Sequence, residues 1–199
     1  MRVDLRTLRR LVREAAMTAT TLPADVGLIV REFRGGVTLA LVRLPTVESV
    51  LSGQESRPRA ALNRAIVGSI SAHKFDVWRV TNVRAQRGHG PLLYRLAMQY
   101  ATQRGSSLSS DPDGQTSPDA QVVWDKFATQ PDVEVEFLSG EHDDQRDVGY
   151  CLEGDDISGL AQRYASLLAR YDRRDRDRLD DLLDGLDGAL VVSMRNSGS

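Results

Sequence analysis

Val77-Trp78-Arg79-Val80-Thr81-Asn82-Val83-Arg84-Ala85-Gln86-Arg87-Gly88-His89-Gly90-Pro91-Leu92-Leu93-Tyr94-Arg95-Leu96-Ala97-Met98-Gln99-Tyr100 is the stretch from which the rest of the chain can be read. Its first part is β-rich: Val77, Val80 and Val83 with Trp78 alternate, imperfectly, with polar residues. The run breaks at Arg87-Gly88-His89-Gly90, where two glycines admit backbone angles that other residues avoid. Pro91 suits the first position of a helix, where a missing N–H costs nothing. Leu93, Leu96, Ala97, Tyr100 and Ala101 then recur at helical spacing until Gly105 supplies a stop. The local prediction is strand, glycine turn, helix. A helix start carries unpaired N–H groups and a partial positive charge, and Gly-x-Gly lets an anion come close while Arg87 adds a guanidinium fork. An ordinary tight turn is the commoner meaning of such a pair, and on local sequence both readings stay open.

The chain has 199 residues, the size of one domain, or of one domain with an appended segment, and is long enough to bury a core. Its apolar and charged fractions are those of a globular protein, which argues against wholesale disorder. A net charge of −2 offers no global attraction to nucleic acid, so no specific nucleic-acid partner is expected, although local basic patches remain compatible with it. Lys74 and Lys126 are the only lysines; every other cation is arginine. The single cysteine, Cys151, excludes an intrachain disulfide and a multi-cysteine zinc site. With no long apolar span and no signal peptide, the expected location is the cytoplasm or the inside of a particle, with no membrane partner.

In chain order, residues 4–19 read as an amphipathic helix capped by Asp4, with Leu5, Leu8, Val12, Ala15 and Ala19 on one face. Its arginines are expected to line a solvated face. Val26 to Arg34 and Val37 to Leu44 are β-rich and joined by Gly35-Gly36, a hairpin signal. Pro45 to Pro58 is polar, with a short helix at Thr46 to Leu51. Ala61 to Ile70 starts as helix or strand and ends as a strand. Past the central helix, the small residues Ser106 to Ser110 suggest a strand whose backbone is closely approached. Asp111 to Thr116 is a loop, and Ser117-Pro118 opens a helix with Ala120, Val123, Trp124 and Phe127 on its apolar face. Val133, Val135 and Phe137 alternate with Glu134 and Glu136 as a half-exposed strand, and Val148 to Leu152 forms another. Ile157 to Tyr171 is amphipathic. After a break near Tyr171 comes an Asp/Arg-dense stretch and the leucines Leu182, Leu183, Leu186 and Leu190. That stripe packs on the domain or faces a partner chain.

The order of elements, and above all Arg87-Gly88-His89-Gly90-Pro91-Leu92, resembles the GCN5-related N-acetyltransferase (GNAT) superfamily, whose coenzyme loop reads Arg/Gln-x-x-Gly-x-Gly/Ala. Ser109-Ser110-Asp111, Ser117-Pro118-Asp119-Ala120 and Val123-Trp124 are similar to a divergent group associated with tailed phages and mobile elements; the likeness spans about residues 26–138. It implies an α/β (α+β) fold, a central mixed, mostly antiparallel sheet flanked by helices. The domain would cover residues 1–154, with a charged helical extension over 155–199. It implies acetyl-CoA as cosubstrate and acetyl transfer to an amine that the sequence does not identify. Arg87, Gly88, His89, Gly90 and Leu92 would cradle the pyrophosphate, and Val83 and Ala85 would pair with the pantetheine arm. Several departures bear on the chemistry. Leu92 stands where the loop normally has Gly or Ala, and Pro91 removes one N–H donor. Ser117 and Trp124 occupy roughly the places where the family often carries an Asn and a thiolate-protonating Tyr; Tyr94 lies on the loop helix and is not assigned that role. No catalytic residue is assigned, and the alternative implication is an inactive binding or structural protein such as a virion component, assembled through its C-terminal helices as a homo-oligomer or on a phage partner.

Other constellations are weaker. His73, His89 and His142 lack metal spacing. His73 beside Asp76 reads as a surface turn rather than a catalytic pair, and Glu141 to Asp147 reads as a solvated acidic loop. No Gly-Lys-Ser/Thr follows the glycines, which argues against triphosphate hydrolysis, and no acid about 20 residues on suits a dinucleotide ribose.

Overall fold

The computed structural model describes residues 23–110, 118–138 and 148–195. The helix expected at residues 4–19, the loop at Asp111 to Thr116, Ser117 and the acidic run Glu141 to Asp147 with His142 lie outside the described residues. Those that are described form a mixed α/β structure. Its sheet has seven strands in the order β1-β2-β3-β4-β5-β7-β6. Strands β1 (Val26–Phe33), β2 (Gly36–Arg43), β3 (Ile66–Lys74) and β4 (Trp78–Ala85) are antiparallel neighbours. β5 (Leu108–Ser109) lies parallel to β4, and β6 (Val133–Phe137) and β7 (Val148–Leu152) complete the other edge. The helices are α1 (Leu44–Leu51), α2 (Pro58–Ala65), α3 (Gly90–Thr102), α4 (Pro118–Phe127), α5 (Asp156–Leu168) and α6 (Arg173–Arg195).

The first hairpin departs from expectation by one residue. Gly36 pairs with Phe33 and so belongs to β2; the two connecting residues are Arg34 and Gly35. Only Gly35, at φ 78°, is left-handed, the conformation glycine takes without a Cβ penalty. The Ala61–Ile70 ambiguity resolves at Ala65/Ile66, where α2 ends and β3 starts.

One sheet face is apolar from edge to edge. Val26 and Leu28, Leu39 and Leu41, Val67 and Ile70, Trp78 and Val80, Leu108, Tyr150 and Leu152 all meet α3, α4 and the first half of α5. On α3 nearly the whole length is buried, through Leu93, Tyr94, Leu96, Ala97, Met98, Tyr100 and Ala101, as its helical spacing predicts. The opposite face carries a second cluster, in which Ile29 and Val42 of β1 and β2 and Ile66 at the start of β3 pack with α1, α2, α6 and the second half of α5 through Tyr164 and Leu167. Leu179, Leu183 and Leu186 of α6 are buried in this second core and Leu182 packs against it, so the stripe packs within the chain as far as Leu186; the Leu190 side chain lies outside the described ones. α6 and α5 are separated at Ala169–Asp172, matching the expected break near Tyr171.

Candidate functional site

A β-bulge sets the geometry of β4. Ser71 opposes Asn82 while the next β3 residue, Ala72, opposes Val80, so Thr81 is the extra residue. Its hydroxyl bonds back to the Ser71 carbonyl at 3.3 Å. The bulge accounts for the imperfect alternation in the sequence: Trp78, Val80 and Val83 all reach the same core only because one residue is inserted between them.

β4 and β5 pair at Trp78↔Leu108 and Arg79↔Ser109 and no further among the described residues. Trp78 N–H donates to the Ser107 carbonyl at 3.0 Å, so the backbone polar groups of Trp78 point toward β5. Antiparallel pairing with β3 alternates hydrogen-bonded and open residues. Counting through the bulge, Val83 and Ala85 therefore present their N–H and C=O groups beyond Arg79, while the Val80 N–H is used by Ser109 in the β4–β5 pairing. Val83 and Ala85, the two positions expected to meet a pantetheine arm, thus lie along a strand edge that no described residue pairs with. Such an edge recruits an extended amide-bearing chain.

The loop Gln86–His89 joins that edge to α3. Gln86 N–H bonds the Val67 carbonyl at 2.8 Å, and His89 N–H bonds the Gln86 carbonyl at 3.1 Å. Gly88 has φ 93°. Leu93 N–H is satisfied by the His89 carbonyl, but the N–H groups of Arg87, Gly88, Gly90 and Leu92 have no partner among the described residues. Pro91 has none to offer. The first turn of α3 contains no carboxylate, so nothing within the helix neutralises its positive end. A Cβ at Gly88 would meet nothing within 4 Å, and at Gly90 only the Ala85 Cβ at 3.9 Å, which leaves an open cradle in front of the free donors. Arg84 and Arg87, with Arg64 in the last turn of α2 just before β3, face no carboxylate among the described residues. Leu92 turns its side chain toward the first core, so its bulk is kept off the cradle. His89 Nδ1 is buried and unpartnered. The cradle fits a polyanion.

Trp124, which stands where the resemblance would want a proton-donating Tyr, belongs to an aromatic cluster. The Tyr94 ring meets Trp124 edge-on at 4.9 Å between centroids, and Trp124 lies on Tyr150 at 4.7 Å. Burial raises the Tyr94 hydroxyl above the ordinary tyrosine value, and Tyr150 likewise. This cluster clamps α4 to α3 and β7. The close approach anticipated for Ser106 to Ser110 lies on the partner strand: the glycine is Gly149 of β7, and the approaching group, the Ser107 side chain, comes from the Ser106 to Ser110 stretch, so that a Cβ at Gly149 would overlap Ser107 Oγ. That hydroxyl is 1% exposed and unpartnered.

What sequence reasoning missed was the bulge; the broken alternation was the available signal. No group of three or more metal-ligating side chains occurs among the described residues, and no described helix is long and apolar enough to cross a membrane. Comparison with family models, curated proteins and solved structures finds no match.

Proposed function

We propose that the chain binds acetyl-CoA in the manner of the GNAT superfamily and transfers its acetyl group to an amine. The observation that carries this reading is the continuity of two features: an amide-facing gap between β4 and β5 that runs into four unpaired N–H groups at a helix start. Arg87, Gly88, Gly90 and Leu92 would hold the pyrophosphate through backbone donors. Val83 and Ala85 would hydrogen-bond the pantetheine amides. The thioester would then lie toward Arg79 and Ser109, where the gap closes. Acetyl-CoA supplies an activated acyl carbon there: the acceptor nitrogen bonds to it, the C–S bond breaks, the nitrogen loses a proton and the thiolate gains one.

A second reading, cofactor binding without turnover, is favoured by the aromatic cluster. Tyr94 and Trp124 are committed to packing rather than to proton return at the sulfur. The two readings part in one experiment series. Calorimetric titration with acetyl-CoA, and with desulfo-CoA as control, is expected to show binding near micromolar, about −8 kcal/mol. Absence of binding at millimolar ligand removes both readings. Binding followed by release of free thiol in the presence of an amine panel selects transfer; binding with no release from any amine selects the second.

A further inference from the structure

The end of the sheet remote from the glycine loop carries a different surface. The β1–β2 turn and the β3–β4 turn sit side by side there, tied by Lys74 N–H to the Gly35 carbonyl at 2.8 Å. Phe33 closes β1 and stays 44% exposed, and Phe75 in the next turn is 63% exposed. These are two of the four large apolar side chains that the described surface leaves exposed, and they fall on adjacent turns. Phe33 lies over Gly36, where a Cβ would overlap its ring, and meets His73 edge-on at 5.1 Å. The Phe33–His73 contact therefore depends on a glycine and is already formed.

Its charge is positive although the chain is net negative. Glu32 is matched by Arg104, and Asp76 by Arg79 at 3.3 Å. Arg34 and Lys74 face no carboxylate among the described residues. The Lys74 ammonium is held at the Ser106 hydroxyl (2.6 Å) and the Asp76 carbonyl (3.1 Å) and lies 5.9 Å from the centre of the Trp78 ring, neutral partners that leave its net charge in place. A second copy of the same positive patch would be repelled. An anion with planar, stackable groups is complementary in both respects.

We propose that the Phe33–His73 pair and the exposed Phe75 on the adjoining turn, with Arg34 and Lys74, form a binding surface for single-stranded nucleic acid, bases stacking on the rings and phosphates following the cations. A duplex hides its base faces and does not fit. The surface is independent of the proposed coenzyme cradle at the opposite end of β4.

The test is fluorescence anisotropy of a labelled oligodeoxythymidine of about twelve nucleotides, titrated with the full chain at low salt and again at higher salt. Phe33→Ala and Phe75→Ala are each expected to weaken binding about five-fold or more, the size of one lost stack. Arg34→Glu should weaken it and flatten its salt dependence. Gly90→Asp should leave it unchanged, and duplex of the same length should compete poorly. Because both phenylalanines are exposed, their removal spares the core. The proposal is overturned by absence of binding at low salt, by phenylalanine variants that bind as the parent does, by equal competition from inorganic polyphosphate, or by loss of binding in Gly90→Asp alone.

Discussion

Gly90 separates what a residue does for folding from what it does for a ligand. Its missing side chain would point into open space, 3.9 Å from the nearest atom, so the fold does not require glycine there. An aspartate at this position would even favour the helix, by roughly 0.3–1 kcal/mol through the dipole. The same carboxylate would stand in front of the free N–H groups. Gly90→Asp is therefore expected to unfold at an equal or higher temperature than the parent while losing coenzyme affinity by a hundred-fold or more, on the order of 3 kcal/mol; retained affinity in titration would remove the loop from the site. Gly88 behaves oppositely. At φ 93° any side chain is strained, and Gly88→Ala should cost about 1 kcal/mol in urea unfolding. Tyr100 offers a pH test at the same scale. Its hydroxyl donates to Glu32 at 2.7 Å and its ring lies under Arg104 at 3.5 Å. The Tyr100 hydrogen bond, then Arg104, hold the Glu32 carboxyl below its ordinary 4.5, while burial and Glu32 push Tyr100 up to about 12. A carboxyl with a depressed folded value stabilises the fold above its unfolded value, and that stability is lost as pH falls through the folded one. Tyr100→Phe should cost about 0.5–1.5 kcal/mol at neutral pH. Its stability should then fall less steeply than the parent's below pH 4.5, as thermal melts across an acid series would read.

Elements show how much of this was legible in the sequence and why the rest was not. α3 was legible over its whole length because both signals, period and punctuation, are local: Pro91 at its start, Gly105 beyond its end, and apolar residues between at helical spacing. Gly35-Gly36 marked the hairpin, but not which glycine turns; register decides that, and register is set by β3 as well, through Gly36↔His73. β5 has two residues and no period to detect, and its parallel pairing with β4 joins strands separated by a whole helix. The loop half of the site was therefore readable from the chain, and the gap half only as a flaw in the alternation at Thr81. α6 was read as an element with two fates, and burial chooses between them. Leu183→Ala should cost about 2–5 kcal/mol, as a deletion from a packed core does; a change within experimental error in chemical unfolding would return α6 to the role of a free interface. The acids beside that stripe are spaced for helix turns rather than for comfort. Burial first, then Asp184, Asp177 and Asp181, raise Asp180 despite the attraction of Arg31. An acid with a raised folded value opposes folding once it is charged. Asp180→Asn should accordingly raise stability at neutral pH, by about 0.5 kcal/mol or less for so exposed a group, and the gain should vanish below its unfolded value.

At the scale of the whole molecule, the sheet has two unlike faces and two unlike ends. The face under α3 is packed from β1 to β6, while the opposite face holds a second cluster formed by α1, α2, α6 and the second half of α5 over β1, β2 and the start of β3. β4 runs between the ends, starting beside the aromatic turns and finishing at the glycine loop. A ligand held at the loop binds the native state and not the unfolded chain, since its donors come from β4, the turn and α3 together. Linkage then fixes a global consequence. Acetyl-CoA at a hundred times its dissociation constant should add about 2.7 kcal/mol to unfolding, which in a domain of this size is a rise of roughly 5–10 °C. Desulfo-CoA should do the same, because the thioester adds nothing to the phosphate and amide contacts. Gly90→Asp should abolish the rise, whereas Phe75→Ala, at the other end of β4, should leave it intact. If the melting temperature holds still at millimolar acetyl-CoA while Gly90→Asp folds as stably as predicted, the four open N–H groups serve only a turn. The gap between β4 and β5 would then have to be explained by a chain of another kind lying along Val83 and Ala85.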